Sequence, residues 1–304
     1  MIRSLRILPA VFAAFSAVAL HPEPATANPP PLLLSFGIGQ FSELNGVAVD
    51  ASGNVYASDA SQHQCIKKFA STGEYLSQWG TLGNGNGQFD GPWGVAVDAA
   101  GDVYVADIGN RRVQKFTSDG TYITQWSGPL PFQLGLPTYL TLDASGNVYV
   151  VDTGFERVEK FTSDGGFIGA WGTHGSGNGQ FDNPLGIAVD GSGHVFVADL
   201  HNNRVQKFSD DGTYLGQWSA NAPLAIAINA TGDVYVSDQN LLRISRFTND
   251  GTFVTEWGPI GCIDLEFDAG GNLYAAEADR IEKFGPKPTA VTARSWGQLK
   301  HLYR

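Results

Sequence analysis

The sequence predicts an all-β fold, a six-bladed β-propeller with four antiparallel strands per blade, the sixth blade closed by the N-terminal strand. Three observations carry that expectation. One unit recurs six times at intervals of 39 to 48 residues, marked by a turn glycine at 53, 101, 146, 193, 232 and 271. Repeats of that length that cannot bury both faces alone stack on their neighbours. Glycine, at 38 of 304 residues, is too abundant for a mainly helical chain, while 12% aromatic residues supply area for a packed core. Finally, the last repeat stops after its third strand at Phe284, and Leu32–Gly37 near the start reads as a spare fourth strand.

Each repeat divides into strands by period-2 patterning and turn chemistry. In the second, Gly94–Asp98 is predicted as strand one, Val103–Ala106 as strand two, Arg112–Phe116 as strand three and Thr121–Trp126 as strand four. The turns between them hold Asp98 with Gly101, Asp107–Arg111 and Asp119-Gly120. Asp accepts backbone N–H bonds there, and Gly takes positive φ without a Cβ clash. The blades are expected at about 45–80, 92–127, 137–172, 184–219, 223–258 and 263–284 plus 32–37, giving a propeller over 28–284. Phe36 falls where the other blades end strand four with Trp79, Trp126, Trp171, Trp218 and Trp257, all expected to pack between blades.

The flanks differ from the repeats. Met1–Arg6 holds two arginines, Ile7–Leu20 is uncharged, and Ala25-Thr26-Ala27 offers small residues at a cleavage position. That order predicts a signal peptide over 1–27 and a secreted or periplasmic protein at the cell exterior. Fourteen uncharged residues including Pro9 are too few to span a bilayer, so no transmembrane segment is expected. Residues 285–304 form a basic tail in which Trp296, Leu299 and Leu302 or Tyr303 fall at helical spacing. The whole chain carries −11, and the body between the two flanks −16, which argues against nucleic-acid binding. Cys65 and Cys262 could pair in an oxidising compartment, but nothing in the sequence brings them together.

The stretches Gly-Asn-Gly-Asn-Gly-Gln-Phe-Asp-Gly-Pro-Trp-Gly-Val-Ala-Val-Asp (83–98) and Gly-Ser-Gly-Asn-Gly-Gln-Phe-Asp-Asn-Pro-Leu-Gly-Ile-Ala-Val-Asp (175–190) resemble NHL repeats. The Asn-Xaa-Arg-Val-Gln-Lys-Phe segments at 110–116 and 202–208 resemble the same family. The resemblance spans about 32–284 and implies a six-bladed propeller, without specifying an activity.

Half of the 30 acidic residues occupy recurring turn positions. A group repeated around the ring serves the repeat, so these are expected to cap turns and, for Asp107, Asp152, Asp199 and Asp238, to pair with the arginine five residues on. No catalytic residue is assigned. The Gly-Xaa-Gly-Xaa-Gly runs at 83–87 and 175–179 lack the following helix that a phosphate loop needs, and are expected to be flexible connections. His63, His174 and His201 should share one rim; Asp59–Gln64 faintly resembles a zinc-ligand segment of related amidating lyases, but the equivalent loops have no matching histidine. No metal and no cofactor are therefore expected.

The positions just before strand one read Asn45, Trp93, Thr138, Leu185, Leu224 and Ile263, where lactonase-like propellers would be expected to carry polar ligand sets. With Phe132, Tyr139, Phe155 and His201 they suggest a binding rim or a plug of the channel. Asn45, Trp93, Thr138, Tyr139, Phe155, Leu185 and His201 are the candidate ligand-binding residues. The expected function is a non-catalytic binding or scaffold module for a protein, peptide or other extracellular ligand. The alternative is a metal-dependent lyase or lactonase-like enzyme at the channel mouth.

Overall fold

A computed structural model describes residues 29–286, all strand and loop. The expected signal peptide and nearly all of the basic tail lie outside the described residues.

The chain opens with β1 (Leu32–Phe36) and then runs around six sheets. Blade 1 is β2 (Leu44–Val49), β3 (Val55–Asp59), β4 (Cys65–Phe69) and β5 (Tyr75–Trp79). Blade 2 is β6 (Pro92–Val97), β7 (Val103–Asp107), β8 (Arg112–Phe116) and β9 (Tyr122–Trp126). Blade 3 is β10 (Pro137–Leu142), β11 (Val148–Asp152), β12 (Arg157–Phe161) and β13 (Phe167–Trp171). Blade 4 is β14 (Pro184–Val189), β15 (Val195–Asp199), β16 (Arg204–Phe208) and β17 (Tyr214–Ser219). Blade 5 is β18 (Pro223–Ile228), β19 (Val234–Asp238), β20 (Arg243–Phe247) and β21 (Phe253–Trp257). Blade 6 takes β22 (Asp264–Phe267), β23 (Leu273–Ala276) and β24 (Ile281–Phe284) from the chain's end and completes itself with β1, in the order β1-β24-β23-β22. The inner strands close a circle: β2 on β6, β6 on β10, β10 on β14, β14 on β18, β18 on β22, and β22 back on β2.

What joins blade to blade is aromatic. Trp79 of blade 1 meets Tyr56 edge-on at 6.2 Å and tilts against Phe116 of blade 2 at 5.9 Å. Trp126, Trp171 and Trp218 repeat the contact with Phe161, Phe208 and Phe247. Each indole lies under a turn glycine of the next blade. A Cβ on Gly120, whose φ is +88°, would come within 2.6 Å of Trp79. Phe36 does the same work at the seam, under Gly73 and edge-on to Phe69 at 5.4 Å.

The turn acids behave as the repeat requires. Asp98 accepts N–H bonds from Ala100 and Asp102 through one oxygen and the Tyr104 hydroxyl through the other. Asp119, at the third turn, accepts from Thr121.

Three expectations need correction. Strand one begins earlier than the alternation suggests, because a proline pairs first (Pro92 with Asp107) and the register then shifts before Val95 pairs with Val105. Proline is tolerated at a strand's first residue, and the irregularity after it accommodates the extra residues. Hence Asn45, Trp93, Thr138, Leu185 and Leu224 lie inside strand one, and only Ile263 precedes it. Second, Arg243 turns away from Asp238 and pairs with Glu256, while Asp238 caps the N–H groups of Asn240 and Leu241. Third, the glycine runs are not loose. Gln88 accepts the Gly85 N–H, Gln114 accepts the Gly87 N–H, and Arg112 donates to the carbonyls of Asn84, Gly85 and Gln88.

Candidate binding rim and central channel

The rim bearing the loops between strands two and three, together with the loops between blades, is organised around buried aspartates. In blade 2 Asp107 accepts the Asp90 N–H, Asn110 and the Arg112 Nε at 2.8 Å. Arg112, itself buried, also reaches Gln125 and three backbone carbonyls. Asp199 and Arg204 repeat this in blade 4 at 2.7 Å. The pairs are scaffold, holding blade-to-blade loops in place.

Blade 3 breaks the pattern. Phe155 stands where Asn110 and Asn202 bond their aspartates, and Glu159 replaces Gln114 and Gln206. Asp152 instead accepts the N–H groups of Gly135 and Leu136, from the loop joining blades 2 and 3. Freed from the aspartate, Phe155 is 54% exposed. The Arg157 guanidinium lies 4.7 Å from its ring centre and 5.4 Å from that of Phe132, which stacks on Phe167 at 5.0 Å. Phe132, Phe155 and Arg157, with Trp171 and His174, line an open groove of about 480 Å³. Glu159 bonds Arg157 through one oxygen, and its other oxygen is buried without a partner. Burial pushes the Glu159 carboxyl up to about 7, against the pull of Arg157.

The seven candidate residues separate into two places. Trp93, Tyr139 and Leu185 meet in one apolar cluster at the inner strands. Tyr139 is buried, and its hydroxyl donates to the Ile263 carbonyl of blade 6 at 2.6 Å, so the ring reaches from blade 3 to a blade opposite. Thr138 is buried and bonded to Thr153 at 2.7 Å; Asn45 is buried with its Nδ2 unpartnered. Tyr139, with Trp93 and Leu185 packed in its cluster, therefore plugs the channel mouth. Phe155 and His201 lie apart from them on the outer rim. His201 contacts Asp182 at 3.0 Å, and His174 contacts Glu156 at 2.7 Å. His63 is 2.6 Å from Asp59, which Lys67 also approaches at 2.7 Å, so it belongs to an ion-paired scaffold. His194 contacts the turn acid Asp190 at 2.9 Å.

Beneath the plug lies a channel cavity of about 150 Å³ whose wall is mostly aliphatic, including Val49, Val97, Leu142 and Val189. Blade 6 alone adds carboxylates. Asp264 takes the place of Gly46, Gly94, Gly186 and Ala225, and Glu266 that of Ala48, Ala96 and Ala188. Asp264 is buried and accepts the Val47 and Leu265 N–H groups, both at 2.9 Å. Desolvation holds it up at about 7. Glu266 is pushed up to about 8, by desolvation first and by the charge of Asp264 second. Sequence reading missed both. The signal was available in aligned repeats: two acids on an inner strand, where the other copies are glycine, alanine or, in blade 3, Tyr139 and Thr141.

An NHL repeat model matches residues 89–116 and 181–208, the stretches that contain the Asp–Arg scaffolds of blades 2 and 4. No curated protein matches the chain significantly. Among solved structures, a gluconolactonase from Xanthomonas campestris is 15% identical over 85% of this chain and 95% of its own, with a TM-score of 0.66. A streptogramin B lyase is 18% identical, covering 79% of this chain and 78% of its own at a TM-score of 0.61. A chain of a nidogen–laminin complex is 18% identical, over 71% and 80%, at 0.58. At such identities the likeness is one of fold.

Proposed function

Because the chain is an NHL-repeat, six-bladed β-propeller, we propose that it acts outside the cell as a non-catalytic binding module, seating an extended peptide segment of a partner protein in the blade-3 rim groove. The observation that carries this reading is the half-exposed Phe155, clamped with Phe132 around Arg157 where blade 3 departs from the polar pattern of blades 2 and 4. Aromatic rings and arginine in an open cleft are the groups that anchor protein interfaces. The acidic body favours a partner carrying basic residues beside its apolar anchor. A channel-centred enzyme is supported less well. Its donors would be two carboxylates from one strand, behind a mouth that Tyr139 and Trp93 fill.

A random-peptide display library selected against the full chain tests the reading. Selected peptides should lose about tenfold or more in affinity for Phe132→Ala/Phe155→Ala, while the melting temperature stays within a degree or two. Peptides that bind both proteins equally would place the docking surface elsewhere.

A further inference from the structure

The repeats supply an internal control for the rim between blades 3 and 4. The junction between blades 1 and 2 is its near-duplicate, 92 residues earlier in the chain, with the same left-handed residue after strand two (Gln64, φ 50°; Glu156, φ 52°) and the same parallel bridge (Leu82 with Phe89; His174 with Phe181). Where the first junction has Gln64, Leu82, Asp90 and Gly109, the second has Glu156, His174, Asp182 and His201. Gln64 performs a scaffold task, accepting the Gly91 N–H at 2.7 Å. Glu156 turns instead to His174 at 2.7 Å. Gly109 lies so close to Asp90 that a Cβ there would come within 2.6 Å of its carboxyl group. At the second junction that position is His201, whose Nδ1 is 3.0 Å from Asp182. The fold is thus met by the copy without imidazoles.

The differences between the two junctions converge on one spot. Ligand atoms of Glu156, His174 and Asp182 all lie within 4.8 Å of one another, and His201 joins them through Asp182. Among the described residues, the ion-pair partners of both carboxylates are these histidines, and no lysine or arginine neutralises either one. The adjacent Arg157 is committed to Glu159. Two imidazoles with two carboxylates match the nitrogen and oxygen donors that zinc-class cations take, whereas calcium and magnesium prefer oxygen alone.

We propose that Glu156, His174, Asp182 and His201 form a binding site for one divalent transition-metal ion of the zinc class. The site is on the outer rim, away from the channel; it shares Glu156 and His174 with the lining of the blade-3 groove but does not depend on peptide docking there. The ion would replace the imidazole–carboxylate contacts and offset the two negative charges. Ligation needs neutral imidazole, so binding weakens in acid.

Full-length protein without a histidine tag, stripped by chelator, is titrated calorimetrically with ZnCl₂ at pH 7.5, with CaCl₂ and MgCl₂ as comparisons. One equivalent of zinc should bind, and His174→Ala/His201→Ala should weaken it by about 100-fold or more, beyond the 10–100-fold cost of losing only a supporting bond. The cobalt complex should show visible ligand-field bands that the double variant lacks. The metal-free melting temperatures should coincide, since both imidazoles are mostly exposed. Identical zinc titrations for the two proteins, or calcium binding as tight as zinc, would overturn the proposal. Whether peptides use the Phe155 groove is tested separately by Phe132→Ala/Phe155→Ala, which leaves all four proposed ligands in place.

Discussion

Asp107 and Arg112 illustrate how one side-chain pair can hold a whole loop. The guanidinium answers a buried carboxylate, a glutamine and three carbonyls, so its removal leaves a buried charge and orphaned acceptors. Arg112→Ala should cost about 3–5 kcal/mol in chemical denaturation, whereas Arg243→Ala, whose Glu256 partner is partly exposed, should cost about 1 kcal/mol or less. Glu159, Asp264 and Glu266 contribute to the pH response. Burial raises all three above their unfolded values, so the folded state favours their protonated forms. Their contribution to stability is full below about pH 4, declines above it, and is lost once the pH passes about 7–8, on the order of 1.4 kcal/mol for every tenfold weakening of the acid on folding. Thermal melts from pH 5 to 9 should show that decline, and Asp264→Asn/Glu266→Gln should flatten it. The turn aspartates were legible in the sequence because they recur from blade to blade. Asp264 and Glu266 were not, because each occurs once and only the register of β22 against the other inner strands reveals where they sit.

At the level of the element, turn chemistry located nearly every strand, since Asp and Gly punctuate the repeat so regularly. The starts of the inner strands were read late, because a proline followed by a register shift disguises the first pair. The same misreading put Trp93 and Thr138 on a rim, when they belong to the strands that line the axis. The indole-under-glycine contact is the element's most demanding feature. Gly120→Ala combines a positive φ with an approach of 2.6 Å to Trp79, and should destabilise by about 1–3 kcal/mol. Gly169→Ala, with open space around it, should cost little and gives the comparison. At the closing strand, Phe36→Ala removes a buried ring from the Phe69 contact. A loss of about 3 kcal/mol is expected, with faster amide exchange in β24 than in β8.

The whole molecule is a ring whose closure is made by the two ends of the described chain. That closure was visible in the sequence as one strand too few at the end and one too many at the start. Both cysteines are buried and unpaired, and burial raises the Cys65 thiol to about 11. Neither should react with a thiol reagent before unfolding, and a reducing agent should leave the melting temperature unchanged. The groups of the proposed sites were harder to read than the ring, because they are exceptions to the repeat and an exception has no period. The seam carries a mechanical consequence. β1 runs antiparallel to β24 with Leu32 beside Phe284, so the chain enters and leaves the blade at the same end of that pair. Tension between the two termini therefore loads the interstrand bonds one after another, like a zip, instead of all at once in shear. A tether at either terminus alone leaves the join unloaded, whereas a pull on both would part it at low force while the five remaining blades stay intact.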